Sequence, residues 1–398
     1  MEALLNLSNI SLYAAFALYL IATLFFGATI KGNKAKEESG NGKAGTIGIV
    51  ITIIGFISQS VYFVTRWVVS GHVPVSNLFE FMTFFGMGIV LAFIIIYFIY
   101  RLPVLGVFAL PIALTVLGFA SMFPSEISPL VASLRHWMLY VHVTTVAFGE
   151  AILSISFVAG LIYLIRQIDQ SKANKRTAWL EVILFSIFIL IGFSVISVIF
   201  GSMDYKAQFE YTKNGATLTA DYPLPPIAGP NEGKLVTEGA MKPWFETPEW
   251  MRGADAARKF NTVIWSVITG FIIYVSARLI TRKRIGAAIQ PLLKKAKPDL
   301  LDEVSYRAVA IGFPVFTLGG LIFASIWAQI AWDRFWGWDP KEVWALVTWF
   351  FYAAFLHLRL SRGWHGERSA WLAVGGFAII MFNLIAVNLV LAGLHSYA

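Results

Sequence analysis

The sequence predicts an all-α protein, a polytopic transmembrane helix bundle of about ten spans with one small extracytoplasmic insertion. Three observations carry that prediction. Charged residues make up 14% of the 398-residue chain, against roughly 25% in soluble domains, too few to cover the surface of a soluble protein of this length. Mean hydropathy is +0.70. Apolar runs of about 20 residues recur along the chain, the length that crosses the hydrocarbon core as a helix. Backbone groups in lipid must pair within their own segment, which favours helices, and the alternating pattern of a β-barrel strand is absent.

The apolar runs place spans near residues 7–30, 46–66, 80–100, 103–121, 138–165, 179–200, 260–280, 308–328, 343–358 and 371–392. The first, Leu7 to Ile30, is long and lacks a basic region before it, so it reads as a span and not as a cleaved signal. Segments 31–45, 166–178, 281–307 and 359–369 are basic, and Arg101 marks the remaining short turn on that side. Segments 67–79, 122–137 and 329–342 carry few positive charges. This asymmetry assigns the basic set to the cytoplasm and both termini to the outside, in the cell membrane. The chain divides into N-terminal spans (1–200), an extracytoplasmic loop or small domain (201–259) and C-terminal spans (260–398). In the insertion, Gln208–Leu218 has β character around an Asn214-Gly215 turn, followed by the proline-rich run Tyr222–Pro226.

The net charge of +8 is accounted for by those short basic segments. No basic stripe with interleaved aromatics is present, so no nucleic-acid partner is expected; membrane lipid is. The chain has no cysteine, which excludes thiol–disulfide exchange by its own residues and any thiolate or iron–sulfur site.

The strongest local signal lies between Trp327 and Trp344. Five of the 14 tryptophans fall there, at Trp327, Trp332, Trp336, Trp338 and Trp344. One reading is an interfacial aromatic belt with helix caps. The other is a platform for a large planar apolar ligand with charged edges, on which indoles stack while Arg334 or Lys341 pairs with carboxylates. The interleaved Asp339, Pro340, Lys341 and Glu342 are more than a belt requires.

The run Trp336-Gly337-Trp338-Asp339-Pro340-Lys341-Glu342 resembles the tryptophan-rich WWD signature of haem-handling proteins. With Thr348-Trp349, Leu356-His357-Leu358-Arg359, Gly363-Trp364, Val387-Asn388 and the terminal Gly393-Leu394-His395-Ser396-Tyr397, the chain resembles the CcsA/ResC branch of cytochrome c biogenesis system II. Pro74–Glu80 and Leu134–Val143 also look like family segments, whereas 201–259 does not align. One departure is Asp333, where the family usually has glycine, which alters the local turn.

The resemblance implies that His142, near the outer end of the fifth span, and His395, after the last, are axial ligands of a haem held by the tryptophan loop. It implies that Trp327, Trp332, Trp336, Trp338, Asp339 and Trp344 form that loop's binding surface. His357, about 20 Å below the loop, would ligate haem at an inner position, with the other ligand from a partner. His136 is the backup for His142; His72 and His365 are not expected to bind iron. Glu150, in the middle of the fifth span, should face a cavity or a partner, because an ionisable group there is costly. Glu80 reads as a carboxylate at a helix N-terminus, and Asn383 and Asn388 as interhelical hydrogen bonders.

The implied activity is a relay: haem (haem b, the transported substrate) enters from the cytoplasmic side and is offered outside to the cysteine thiols of apocytochrome c. The chain would be the unfused component of a cytochrome c haem lyase, with a CcsB/ResB-type membrane partner. Two rivals are a haem exporter or chaperone without ligation activity and an unrelated secondary transporter. The latter predicts broken helices in two related halves, and no paired halves are visible.

Overall fold

In the computed structural model, the structure describes residues 1–31, 42–121, 123, 125–127, 130, 135–213, 216–248 and 254–387. Among them, ten helices are long and apolar enough to cross a membrane. They are α1 (Glu2–Lys31), α2 (Lys43–Ser70), α3 (Leu78–Tyr100), α4 (Pro103–Ala120), α5 (Trp137–Gln167), α6 (Lys175–Ser202), α7 (Ala254–Thr281), α9 (Pro298–Trp332), α10 (Pro340–Arg362) and α11 (Glu367–Phe382). A short helix, α8 (Ile285–Ile289), precedes α9. The chain forms two compact units, Met1–Ser171 with Ile289–Ala398, and Lys172–Ala288.

In the first unit, α5 is the most enclosed span. It packs against α9, α11 and α3, while α1 and α2 form an antiparallel hairpin with α4 alongside α1. Polar groups inside the hairpin pair across helices, as a lipid environment requires. Tyr19 donates to Gln59 Oε1 at 2.8 Å, and Gln59 Nε2 donates to Thr83 O at 3.0 Å. At the end of α2, Arg66 meets Glu80 of α3 at 2.8 Å with both side chains 1% exposed.

The expected basic connector 281–307 is partly helical, because α9 starts at Pro298. Its charges pair instead of staying in a loop. Arg307 bridges Glu303 one turn away, and Arg359 of α10 grips Asp302 through two bonds of 2.6 and 2.8 Å. Ser369 of α11 accepts from the same guanidinium at 3.0 Å, and Gly366 N donates to Asp302 at 3.1 Å. One clamp thus ties α9, α10 and α11 at a shared end.

The second unit holds α6, α7 and a small sheet. The two helices approach closely at Gly192 and Gly270, where a Cβ on either glycine would strike the other helix's backbone. Small residues at such a crossing allow backbone contact in a membrane. Strands β1 (Ala207–Lys213) and β2 (Ala216–Tyr222) pair antiparallel, Ala207 opposite Tyr222 and Lys213 opposite Ala216. The Asn214-Gly215 turn expected between them lies outside the described residues. β4 (Lys234–Leu235) flanks β1, and β3 (Ala228–Gly229) pairs parallel with β5 (Phe245–Glu246). The proline-rich run is pinned to α7. Buried Asn261 accepts from Ile227 N and Ala228 N at 2.9 and 2.8 Å, and Trp265 Nε1 donates to Pro225 O at 2.8 Å.

Candidate functional site

The site is a cavity of about 190 Å³ in the first unit, enclosed by α3, α5, α9, α10, α11 and the segment before α3. Its walls are mainly apolar and aromatic, with a few polar groups at set positions, the usual make-up of a ligand pocket.

His136 caps α5: its Nδ1 accepts from Met138 N at 3.1 Å. That satisfies a helix N-terminal donor and commits the ring to the cap. His142 lies in the second turn of α5 and lines the cavity. Its Nδ1 lies 2.9 Å from Gly319 O. A carbonyl only accepts, so Nδ1 carries the proton and Nε2 is the nitrogen with the lone pair. A hydrogen bond of this kind fixes tautomer and ring orientation in metal-binding histidines.

The partner carbonyl depends on an irregularity in α9. Residues Leu318–Phe323 form a π turn, four residues after Pro314. Pro314 supplies no N–H to the ladder, and π turns recur at functional sites. Gly319 also lets α9 press against α5, since a Cβ there would stand 2.5 Å from Val146 N and 2.8 Å from Thr145 C. A second π turn, Asn383–Val387, follows α11, and Asn383 and Leu384 also line the cavity. Neither π turn has a hydropathy signature.

The tryptophan loop is shaped by its caps. α9 ends at Trp332, and Asp333 takes the left-handed conformation, φ 56°. Glycine adopts that conformation most easily, and aspartate tolerates it better than most side chains. Its carboxylate accepts from Gln329 Nε2 at 3.0 Å. Asp339 and Glu342 form a capping box at the start of α10. Glu342 Oε2 also accepts from Gly337 N at 2.7 Å and Asp339 N at 3.1 Å, folding the loop onto the helix.

Of the predicted loop residues, Trp327, Trp332 and Trp336 come together with His142 at the cavity. Trp327 is 2% exposed, with its ring centroid 6.4 Å from that of Trp332 in an edge-on pair. Three others are placed differently. Trp338 is 69% exposed, edge-on to Trp336 at 6.2 Å. Trp344 packs on Phe382 at 4.3 Å. Asp339 is engaged as a helix cap. Lys341 lines the cavity, whereas Arg334 lies exposed on the loop.

Besides Asp339 and Glu342 of the loop, Glu80 and Glu150 are buried carboxylates at or beside the site. Glu80 is more than a helix-dipole group: it pairs with Arg66, and its Oε2 accepts from Ser76 N and Oγ at 2.9 and 2.7 Å. Asn77 caps α3 by accepting from Glu80 N at 2.9 Å. These bonds hold Val75 to Leu78 against the cavity. The signal available in the sequence was the family segment Pro74–Glu80, but nothing in it named Arg66. Glu150 is 1% exposed and lines the cavity, with no hydrogen-bond partner for Oε2. Asn383 Oδ1 and the Tyr352 hydroxyl are likewise buried without partners.

The other histidines lie elsewhere. His357 is exposed on α10, on the face that also exposes Val347 and Phe350, and is not at this cavity. His365 is exposed, and His72 is buried with Nδ1 3.1 Å from Val73 O. His395 and Asn388 lie outside the described residues, as does the terminal family segment Gly393–Tyr397.

A family model described as Cytochrome C assembly protein matches residues 75–210 and 263–395, most of the chain and all the described cavity residues. The chain belongs to the CcsA family of cytochrome c assembly proteins. Membership is supported along nearly the full length. The chain is 29% identical to "Cytochrome c biogenesis protein CcsA" of a Nostoc species, covering 99% of this chain and 98% of the relative. It is 30% identical to the protein of the same name in a Synechococcus species, covering 100% and 94%, and 29% identical to that of Gloeobacter violaceus, covering 96% and 94%. As a CcsA-family protein, this is a multi-pass membrane protein with a role in cytochrome c assembly. The segment between the two matched stretches, 211–262, includes most of the sheet.

Proposed function

We propose that the chain binds haem as a transported substrate and presents it at the extracytoplasmic face for attachment to apocytochrome c. The observation that carries this reading is His142, its tautomer set by Gly319, beside a tryptophan-lined apolar cavity. The donor set suits haem: an imidazole nitrogen for iron, indoles for the ring and an ammonium for a carboxylate edge. His395 is the second axial ligand. Trp338, exposed at the loop, and Trp344, behind it, complete the tryptophan platform, and Asp339 holds it in shape. The basic segments face the cytoplasm, both termini and the 201–259 insertion lie outside, and the membrane is the cell membrane.

His357 belongs to an earlier step. Its exposure on the side of α10 suits a haem shared with a CcsB/ResB-type partner, which supplies the opposite ligand. Haem then passes outward to the cavity. There each cysteine thiol of apocytochrome c adds across a vinyl group: sulfur bonds to the ring-side carbon, and the thiol's hydrogen ends on the terminal carbon. The addition is redox-neutral and depends on holding the reactants together. The thiols belong to the apocytochrome, and this chain has no cysteine.

The test is co-expression of the chain, its partner and an apocytochrome carrying Cys-x-x-Cys-His. His142→Ala or His395→Ala abolishes holocytochrome formation, and added imidazole restores part of it by filling the axial position. His357→Ala lowers haem loading overall. Unchanged haem absorbance in both outer variants, with no response to imidazole, removes those residues as ligands. Haem loading with no holocytochrome product in the unaltered complex favours an exporter or chaperone.

A further inference from the structure

We infer that Glu150, Lys341 and Asn383 form a subsite that receives a carboxyl arm of a porphyrin, and that the arm enters together with one proton. The inference deepens the haem-presentation reading and rests on it. Its structural basis is a set of polar groups at one part of an otherwise apolar cavity. Glu150 of α5, Asn383 after α11 and Lys341 of α10 all line this region, and Glu150 and Asn383 each hold a buried oxygen without a partner. A buried acceptor left without a partner costs about 1–3 kcal/mol, so these oxygens await a donor that a bound molecule or water supplies.

The chemistry of the arm follows from the ring. In a porphyrin such as haem, the propionates leave one edge and the vinyls occupy the opposite half. Apocytochrome thiols reach the vinyls only if that half faces outward, so the propionates point inward. Glu150 lies eight residues past His142 along α5, about 12 Å deeper at 1.5 Å per residue. Inward-pointing propionates are therefore directed to the acid, the amide and the lysine.

Charge balance supplies the proton. The Asp339 carboxylate accepts from Lys341 N at 3.0 Å and lies beside that lysine, so the single positive charge of Lys341 already serves Asp339 as well as Glu150. A propionate added to them brings one uncompensated negative charge, which is costly inside a membrane protein. One proton taken up with the arm offsets that added charge: the two carboxyl groups share it through a hydrogen bond, beside Lys341. The remaining groups around the acid are accounted for. At the start of α10, Asp339 and Glu342 are held in the helix cap, where Glu342 takes the loop amides, and further along α10 the Tyr352 hydroxyl is buried without a partner. On α5, His142 is bonded to Gly319. From α9 the lining is uncharged, with Phe316, Gly320 and Ala324.

The experiment measures binding of metal-free protoporphyrin IX and of its dimethyl ester to the full chain in detergent, by porphyrin fluorescence. Uptake of one proton makes the diacid's Kd rise with pH, by up to about tenfold per pH unit once the acid is ionised in the free chain. The ester shows no such slope. Glu150→Gln flattens the diacid's pH dependence, because the arm then pairs with Lys341 alone, and tightens binding at the alkaline end. Lys341→Gln weakens the diacid selectively. Equal, pH-independent binding of diacid and ester by the unaltered chain overturns the subsite and leaves the presentation reading standing. If neither porphyrin binds while haem does, the subsite falls alone; if haem fails to bind as well, the presentation reading falls with it. The probe contains no iron, so its binding does not depend on axial ligation, which separates this subsite from the iron ligands.

Discussion

Glu80 and Glu150 have the same side chain and the same 1% exposure, yet their surroundings are opposite. Glu80 meets Arg66, Ser76 and the cap of α3, and its two oxygens are both occupied. Glu150 has an oxygen without a partner and a cavity in front of it. A carboxylate whose bonds are all made within the protein fixes a shape. One left with capacity toward a cavity is available to a ligand. The contrast divides the cavity's surroundings into a frame, built at the α2–α3 junction, and a receiving surface.

The largest expected effect comes from breaking the frame. Glu80→Ala leaves the Arg66 guanidinium buried without its counter-charge, holding only its bond to Ser125 O, at a cost of about 3–5 kcal/mol. Thermal unfolding in detergent, or resistance to proteolysis, reads this loss. A change below about 1 kcal/mol shows that water reaches Arg66 and removes the distinction between the two acids. Gly319→Ala is next. Its Cβ forces α9 away from α5, with an overpacking cost of about 1–3 kcal/mol, and lengthens the His142 bond. Because Nδ1–H donation tunes a bound iron, the haem reduction potential rises as that bond weakens. Lost stability with an unmoved potential limits Gly319 to packing. Glu150→Gln gives the smallest stability change, within about 1 kcal/mol, since Oε2 has no bond to lose. A destabilisation as large as that of Glu80→Ala reveals a structural role for the acid.

The same division explains what the sequence made legible. The ten spans were readable from apolar length alone, and so was the tryptophan loop, whose indoles and caps crowd one short segment. His142 and Glu150 were also recognisable, because each is a polar residue in an apolar run that has to face something. Pairings across space were not. Arg66 and Glu80 are separated by a loop, and neither residue type names its partner. The start of α9 was hidden because Asp302, Glu303 and Arg307 read as a polar connector until their ion pairs are seen. The π turn of α9 has no periodic signal; Pro314 and the Gly319-Gly320 pair mark an irregularity without giving its hydrogen-bond pattern. Trp338 and Trp344 could not be separated from their neighbours, since composition reports how many indoles a loop holds and not where each one points.

The Arg359–Asp302 clamp has a mechanical consequence. It fastens the start of α9 to the end of α10, and Ser369 adds the start of α11, whereas the cavity uses the other ends of these helices. The 23 residues of α10 make a lever of about 35 Å. Rotation by about five degrees at the fastened end displaces the far end by about 3 Å. The clamp therefore fixes one end of all three helices, and any change in the width of the cavity has to come from their opposite ends.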